Sequence, residues 1–161
     1  MAPSRSGLPP ALAEAILAQA PDALVLVDAG GLVRFVNPAV TALLGYPAAA
    51  LLGQPVEALI PERFRSAHTR YRDLYAASPV AREMGARVVA LSARTATGDE
   101  IPVEIRLAPV VAGGEQYTVA ALRDVRDRRQ IMDELREARL VAERADRAKT
   151  RFLATASHDL R

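Results

Sequence analysis

The chain has 161 residues, half of them apolar and a quarter charged, with 21 Lys and Arg against 19 Asp and Glu. That balance is globular rather than disordered, and a net charge of +2 gives little ground for a nucleic-acid partner. Cysteine is absent, which removes disulfides, thiolate nucleophiles and Cys-ligated metals together; tryptophan is absent too.

Residues 1–10, "MAPSRSGLPP", read as a flexible leader with no apolar core of signal-peptide length. The most apolar stretch, "AVTALLGYPAAALLG", is broken by Gly45 and Pro47, so it makes no membrane span. The chain therefore reads as a soluble, cytoplasmic protein. Residues 11–20, "ALAEAILAQA", follow two prolines and are strong helix formers. Leu12, Ile16 and Leu17 give this helix an apolar stripe that must pack on something.

Pro21 and Asp22 stop that helix. "ALVLVD" (23–28) and "LVRFVN" (32–37) flank "AGG" and predict a hairpin. In "NPAVTALLGY", Asn37 is a good N-cap, Pro38 suits the first helical position and Gly45 ends the helix. Single turns follow in "AALLG" and "VEALIP". Residues 62–78 predict a longer helix with Phe64, His68, Tyr71 and Tyr75 at spacings of four, three and four. Strand character returns in "ARVVALSAR" (86–94), in the clean alternation of "IPVEIRLAP" from Ile101, and in "QYTVAALRDV" (116–125), with Gly-containing turns between. Phe35, Phe64, Leu43 and Ile105 read as core. The order predicts an α+β fold: five antiparallel strands, with short helices covering one face and enclosing a cavity.

From Arg126 onward there is no Gly or Pro. Ile131, Leu135, Ala138, Ala142 and Ala145 recur at four-three spacing, as a coiled-coil seam does. Lys149 interrupts the seam, and Ala148, Phe152 and Thr155 or Ala156 resume it after a register change. Glu143 and Arg147 are spaced as a favourable pair. So thin a seam is marginal alone and calls for a second copy in a parallel dimer.

Residues 21–126 resemble a PAS sensor domain, through "ALVLVDAGGLVRFVNPAVTALLGY" and "GDEIPVEIRLAPV". "RDVRDRRQ" matches the exit motif that joins such domains to an output helix. There Asp124 matches the family's acid, and Arg126 stands where a threonine is usual. Asn37 belongs to the family's strand-Asn-helix start. "KTRFLATASHDLR" resembles the phosphoacceptor box of sensor histidine kinases. This implies a layout of leader (1–10), N-terminal helix (11–20), PAS domain (21–126), signalling coiled coil (127–148) and the start of a dimerisation and phosphotransfer helix (149–161).

The resemblance makes His158 the phosphoacceptor and Asp159 the assisting acid. Imidazole is the best neutral nitrogen nucleophile near pH 7. In either register the seam passes through Phe152 and leaves His158 facing outward. Transfer from ATP needs Mg²⁺ and a phosphate-cradling loop, and the chain carries no glycine-rich phosphate loop. The expectation is thus a piece of a larger kinase, inactive alone, with ATP and Mg²⁺ held by a catalytic domain elsewhere. Its partners would be a second copy, through the N-terminal helix and the coiled coil, and a response regulator. No metal site of its own is expected.

What the sensor pocket holds stays open. Zero cysteines exclude covalent-flavin and thioester chromophores. "RFRSAHTRY" resembles the helix that supplies the proximal histidine of oxygen-sensing haem PAS proteins. That makes His68 a candidate axial ligand of haem b, with Arg87 matching the arginine that contacts bound oxygen. The other readings are a small-molecule ligand, or an empty pocket in a ligand-free dimerisation module in which His68 packs at the rim.

Overall fold

The computed structural model describes residues 8–84 and 91–160. The chain divides into two compact units, 1–124 and 125–161.

The first unit opens with helix α1 (Pro10–Gln19), started by proline at its first turn and ended where Ala20 turns extended. Its apolar stripe stays uncovered: Leu12, Ile16 and Leu17 are all exposed and no α1 residue is buried. Strand β1 (Ala23–Asp28) then alternates, burying Ala23, Val25 and Val27. It pairs antiparallel with β2 (Val33–Val36), with an irregularity between Leu26 and Val27.

The connecting turn is held by Asp28. Its carboxylate accepts from the Leu32 N–H at 2.9 Å and from Arg34 Nε at 2.6 Å. Burial of the carboxyl works to raise its pKa. The Leu32 and Arg34 hydrogen bonds, with the charge of Arg34, outweigh it and hold Asp28 below its ordinary 3.8. A depressed folded-state pKa means stabilisation that is complete above the unfolded value and lost as pH falls through the folded one. Thermal melts should therefore fall between about pH 5 and about pH 3, and Asp28→Asn should remove part of that slope. A variant slope equal to wild type would show that the turn is not a source of acid sensitivity.

Helix α2 (Pro38–Leu44) begins after Asn37 and ends at Gly45, whose φ of +79° allows the left-handed cap that donates to the Thr41 carbonyl. Asn37 sits at the N-cap position as expected, but its side chain caps nothing. It is buried and turned back into the domain: Oδ1 accepts from Leu24 N–H at 2.8 Å, and Nδ2 donates to the carbonyls of Asp22 (3.0 Å) and Leu17 (3.2 Å). Asn37 thus ties α1 and the start of β1 to α2. Short helix α3 (Ala48–Leu51), a 3₁₀ turn at Val56–Leu59 and helix α4 (Glu62–Ala77) follow.

The remaining strands are β3 (Arg82–Met84), β4 (Leu91–Arg94), β5 (Glu100–Ala112) and β6 (Glu115–Asp124). The sheet runs β2-β1-β6-β5-β3, wholly antiparallel, with β4 also on β5. β3 meets β5 at Ile105–Leu107 and β4 meets it at Glu100–Val103, so six strands fill the five positions expected. Part of the predicted strand 86–94, residues 86–90, lies outside the described residues; β3 was not anticipated. Gly113 and Gly114, both at positive φ, make the two-residue turn between β5 and β6.

The core lies between this sheet and α2, α3 and the 3₁₀ turn. Val25, Val33, Val40, Leu44, Leu51 and Val103 are almost wholly buried there. Leu43 and Ile105 pack against the core as expected. Phe35 and Phe64 do not: Phe35 is 37% exposed and Phe64 48%. Phe35 is opposite Leu26, on the sheet face away from the Val25 core, and Phe64 lies on the outer side of α4.

The second unit is one helix, α5 (Arg126–Asp159), 34 residues or about 51 Å long. It runs through Lys149 without a break. Arg139 donates to Glu143 at 2.9 Å, one turn before the pair expected at Arg147. None of its residues is buried, and Ile131, Leu135 and Phe152 are 56%, 61% and 71% exposed. Among the described residues no helix is long and apolar enough to cross a membrane.

Candidate functional site

Two groups of side chains carry chemistry, one in each unit. On α5, His158 and Asp159 occupy the last turn with side chains 90% and 76% exposed. His158 Nδ1 lies 3.7 Å from Asp159 Oδ1. That is an ion-pair distance and too long for a hydrogen bond. Both side chains stand in solvent, free to change rotamer. Nε2 points away from this contact and is sterically open. Chemically the pair offers an unhindered nitrogen nucleophile with a carboxylate beside its other nitrogen.

In the first unit, His68 lies on the inner side of α4 and reaches Glu57 of the 3₁₀ turn, Nδ1 to Oε1 at 3.0 Å. Arg72, one turn later, donates Nη1 to both Glu57 oxygens at 2.8 and 3.0 Å. Glu57 is 9% exposed, and an acid so deeply placed needs such partners. The guanidinium of Arg72 lies over the β1–β2 turn. A Cβ on Gly31 would fall 2.0 Å from Nη1, so any larger residue there has to push the guanidinium aside, and the φ of +85° favours glycine as well. With Nδ1 committed to Glu57, Nε2 is the His68 nitrogen that would hold a haem iron if one were bound. Glu57 and Arg72 spend their charges on each other.

Arg87 lies outside the described residues. Asp124 is the last residue of β6, opposite Val103. No cluster of three metal-ligating side chains forms among the described residues. A cleft of about 40 Å³ opens on the sheet face away from the core, beside Glu104, Arg106, Ala121 and Arg123. Its two arginines are matched by Glu83 and by Asp22, the latter at 3.0 Å.

Sequence reasoning singled out His68, His158 and Asp159 but passed over Glu57 and Arg72. A trace was there: one acid inside the apolar run "VEALIP", and a histidine and an arginine four apart on the next helix.

A profile describing the PAS fold matches residues 11–125. Sensor protein FixL of Bradyrhizobium diazoefficiens is 28% identical over 123 residues, which cover 76% of this chain and 24% of that protein. The cell-division control histidine kinase PdhS of Brucella ovis is 32% identical over 151 residues, covering 91% of this chain and 14% of that protein. The chain thus spans a quarter or less of the length of these curated relatives. Among solved structures, the PAS domain of an HTR-like protein from Haloarcula marismortui superposes with a TM-score of 0.59 at 21% identity, covering 71% of this chain and 89% of that one. At that identity the likeness speaks for the fold alone.

Proposed function

The chain belongs to the PAS family, and from that premise we propose that it is the sensory and dimerisation region of a two-component sensor histidine kinase. Two of its relatives are a sensor protein and a histidine kinase. The observation that carries the reading is α5. A helix of 34 residues with no buried side chain and a row of exposed Ile131, Leu135 and Phe152 is unstable alone and requires a partner helix. Two copies in parallel supply it, burying the seam and leaving His158 outside.

The sensor's change of state passes down the paired helices to His158. ATP and Mg²⁺ are brought by a catalytic domain. Nε2 of the neutral imidazole attacks the γ-phosphorus, the bond from that phosphorus to the bridging oxygen of ADP breaks, and the proton on Nδ1 leaves to Asp159 or to water. The phosphohistidine then passes its group to an aspartate of a response regulator.

A seam that transmits rotation is sensitive to helical phase. Inserting two or five residues between Arg129 and Lys149 in the whole kinase turns the downstream helix by about 150°, far out of register, whereas seven nearly restore it. Autophosphorylation is expected to keep its control with seven added residues and to become fixed on or off with two or five. Indifference to insertion length would rule out transmission through the seam.

A further inference from the structure

Helix α4 is attached to the domain in an unusual way. Among the described residues, no α4 side chain belongs to the hydrophobic core or packs against it. Tyr75 is its one buried residue; its hydroxyl donates to the Val80 carbonyl at 2.9 Å and its ring lies against the Arg82 guanidinium at 4.9 Å, both in the segment that follows α4. The large apolar side chains of α4 face the wrong way: Phe64, Tyr71 and Leu74 are 48%, 65% and 70% exposed. Apart from Tyr75, what holds α4 is polar. At its start Arg63 grips both oxygens of Glu100, with Nη2 to Oε2 at 2.6 Å. In its middle His68 and Arg72 converge on Glu57. Near its end Gln116 donates to the Ala76 carbonyl at 3.5 Å. Gln116 shares the core-side face of β6 with Thr118 and Ala120, so α4 crosses that face of the β5–β6 hairpin.

We propose that α4 is a lid over the core-side face of the β5–β6 hairpin, strapped shut by ion pairs at Glu57 and Glu100, and that it opens as a unit while the rest of the domain stays folded. An element with little apolar burial opens at a lower free energy than the core strands beneath it. Ion pairs that reach solvent are weakened by salt, and apolar packing is not. Glu57 is the main strap, because one carboxylate collects two α4 side chains. Glu100, 35% exposed at its side chain, is the weaker.

Amide hydrogen exchange on the 161-residue chain reads this out, in about 20 mM and about 0.5 M NaCl. Glu57→Gln is expected to speed exchange in the second half of α4 about tenfold, with β1 and β6 unchanged. Salt should speed exchange most in the first half of wild-type α4, where the Glu100 pair reaches solvent, and do so much less in Glu100→Gln. Should Glu57→Gln fail to fold, Glu100→Gln takes its place, with a severalfold effect on the first half of α4. Exchange in α4 as slow as in β1 and β6, or a salt response equal in Glu100→Gln and wild type, would overturn the lid.

Discussion

Replacing His158 with glutamine in the whole kinase is expected to abolish phosphoryl incorporation from ATP, a fall of at least about 10³-fold. Glutamine keeps a polar, helix-compatible side chain and removes the nucleophilic lone pair. Its amide nitrogen is delocalised into the carbonyl and does not attack phosphorus. Since His158 is 90% exposed, the substitution disturbs no packing. Helicity and sedimentation should therefore match wild type, which separates lost chemistry from lost structure. The neighbouring acid has a graded role. Asp159→Asn removes a proton acceptor 3.7 Å from Nδ1 and leaves the nucleophile, so incorporation should slow by about 10² to 10⁴-fold without vanishing. The label on wild type should be lost in acid and kept in base, as a phosphorus–nitrogen bond dictates. Full labelling of the His158→Gln protein would place the acceptor elsewhere.

The sheet was legible because its strands alternate. Val25 and Val27 fall on the core face of β1, and Ile101 and Val103 on that of β5, as period two demands. Gly45 and Gly113–Gly114 mark turns that only positive φ allows, and the structure puts turns there. Helix α4 misled because its length was readable and its orientation was not. A four-three-four row of Phe64, His68, Tyr71 and Tyr75 suggests one buried face. Yet Phe64 and Tyr71 stay in solvent while His68 and Arg72 turn inward to Glu57. Periodicity detects an amphipathic helix; where a buried carboxylate is the partner, as for His68 and Arg72, much of the inner side is polar. The outward placement of Phe35 had the same origin. A β2 residue must choose one of two faces, and hydrophobicity alone does not say which.

Asn37 shows the opposite kind of surprise: the right position assigned the wrong job. Asparagine before a proline-started helix satisfies every rule for an N-cap. The structure spends the amide elsewhere, on one N–H and two carbonyls contributed by α1, the connector to β1, and β1 itself. The consequence is measurable. Asn37→Ala leaves the Leu24 N–H and the Leu17 and Asp22 carbonyls without their partner at a site where Asn37 is 1% exposed. Unpaired buried polar groups cost about 1–3 kcal/mol each, relieved where a carbonyl reaches water. A total of about 2–4 kcal/mol is expected, or a Tm lower by roughly 10 °C.

A change in Asn37→Ala of under about 0.5 kcal/mol would instead mean that the amide only fills space. Asn37→Asp distinguishes the hydrogen bonds from the shape. The carboxylate keeps an acceptor for Leu24 N–H but turns its second oxygen toward two carbonyls in a buried site, which raises its pKa. A raised folded-state pKa reverses the sign found for Asp28: stabilisation belongs to the protonated form and is lost as pH rises through that pKa. Asn37→Asp should therefore be severely destabilised at neutral pH and recover on acidification, over the range where the wild-type protein does not. If its melting temperature tracked wild type at every pH, the amide donors would be ruled out as the anchor of α1.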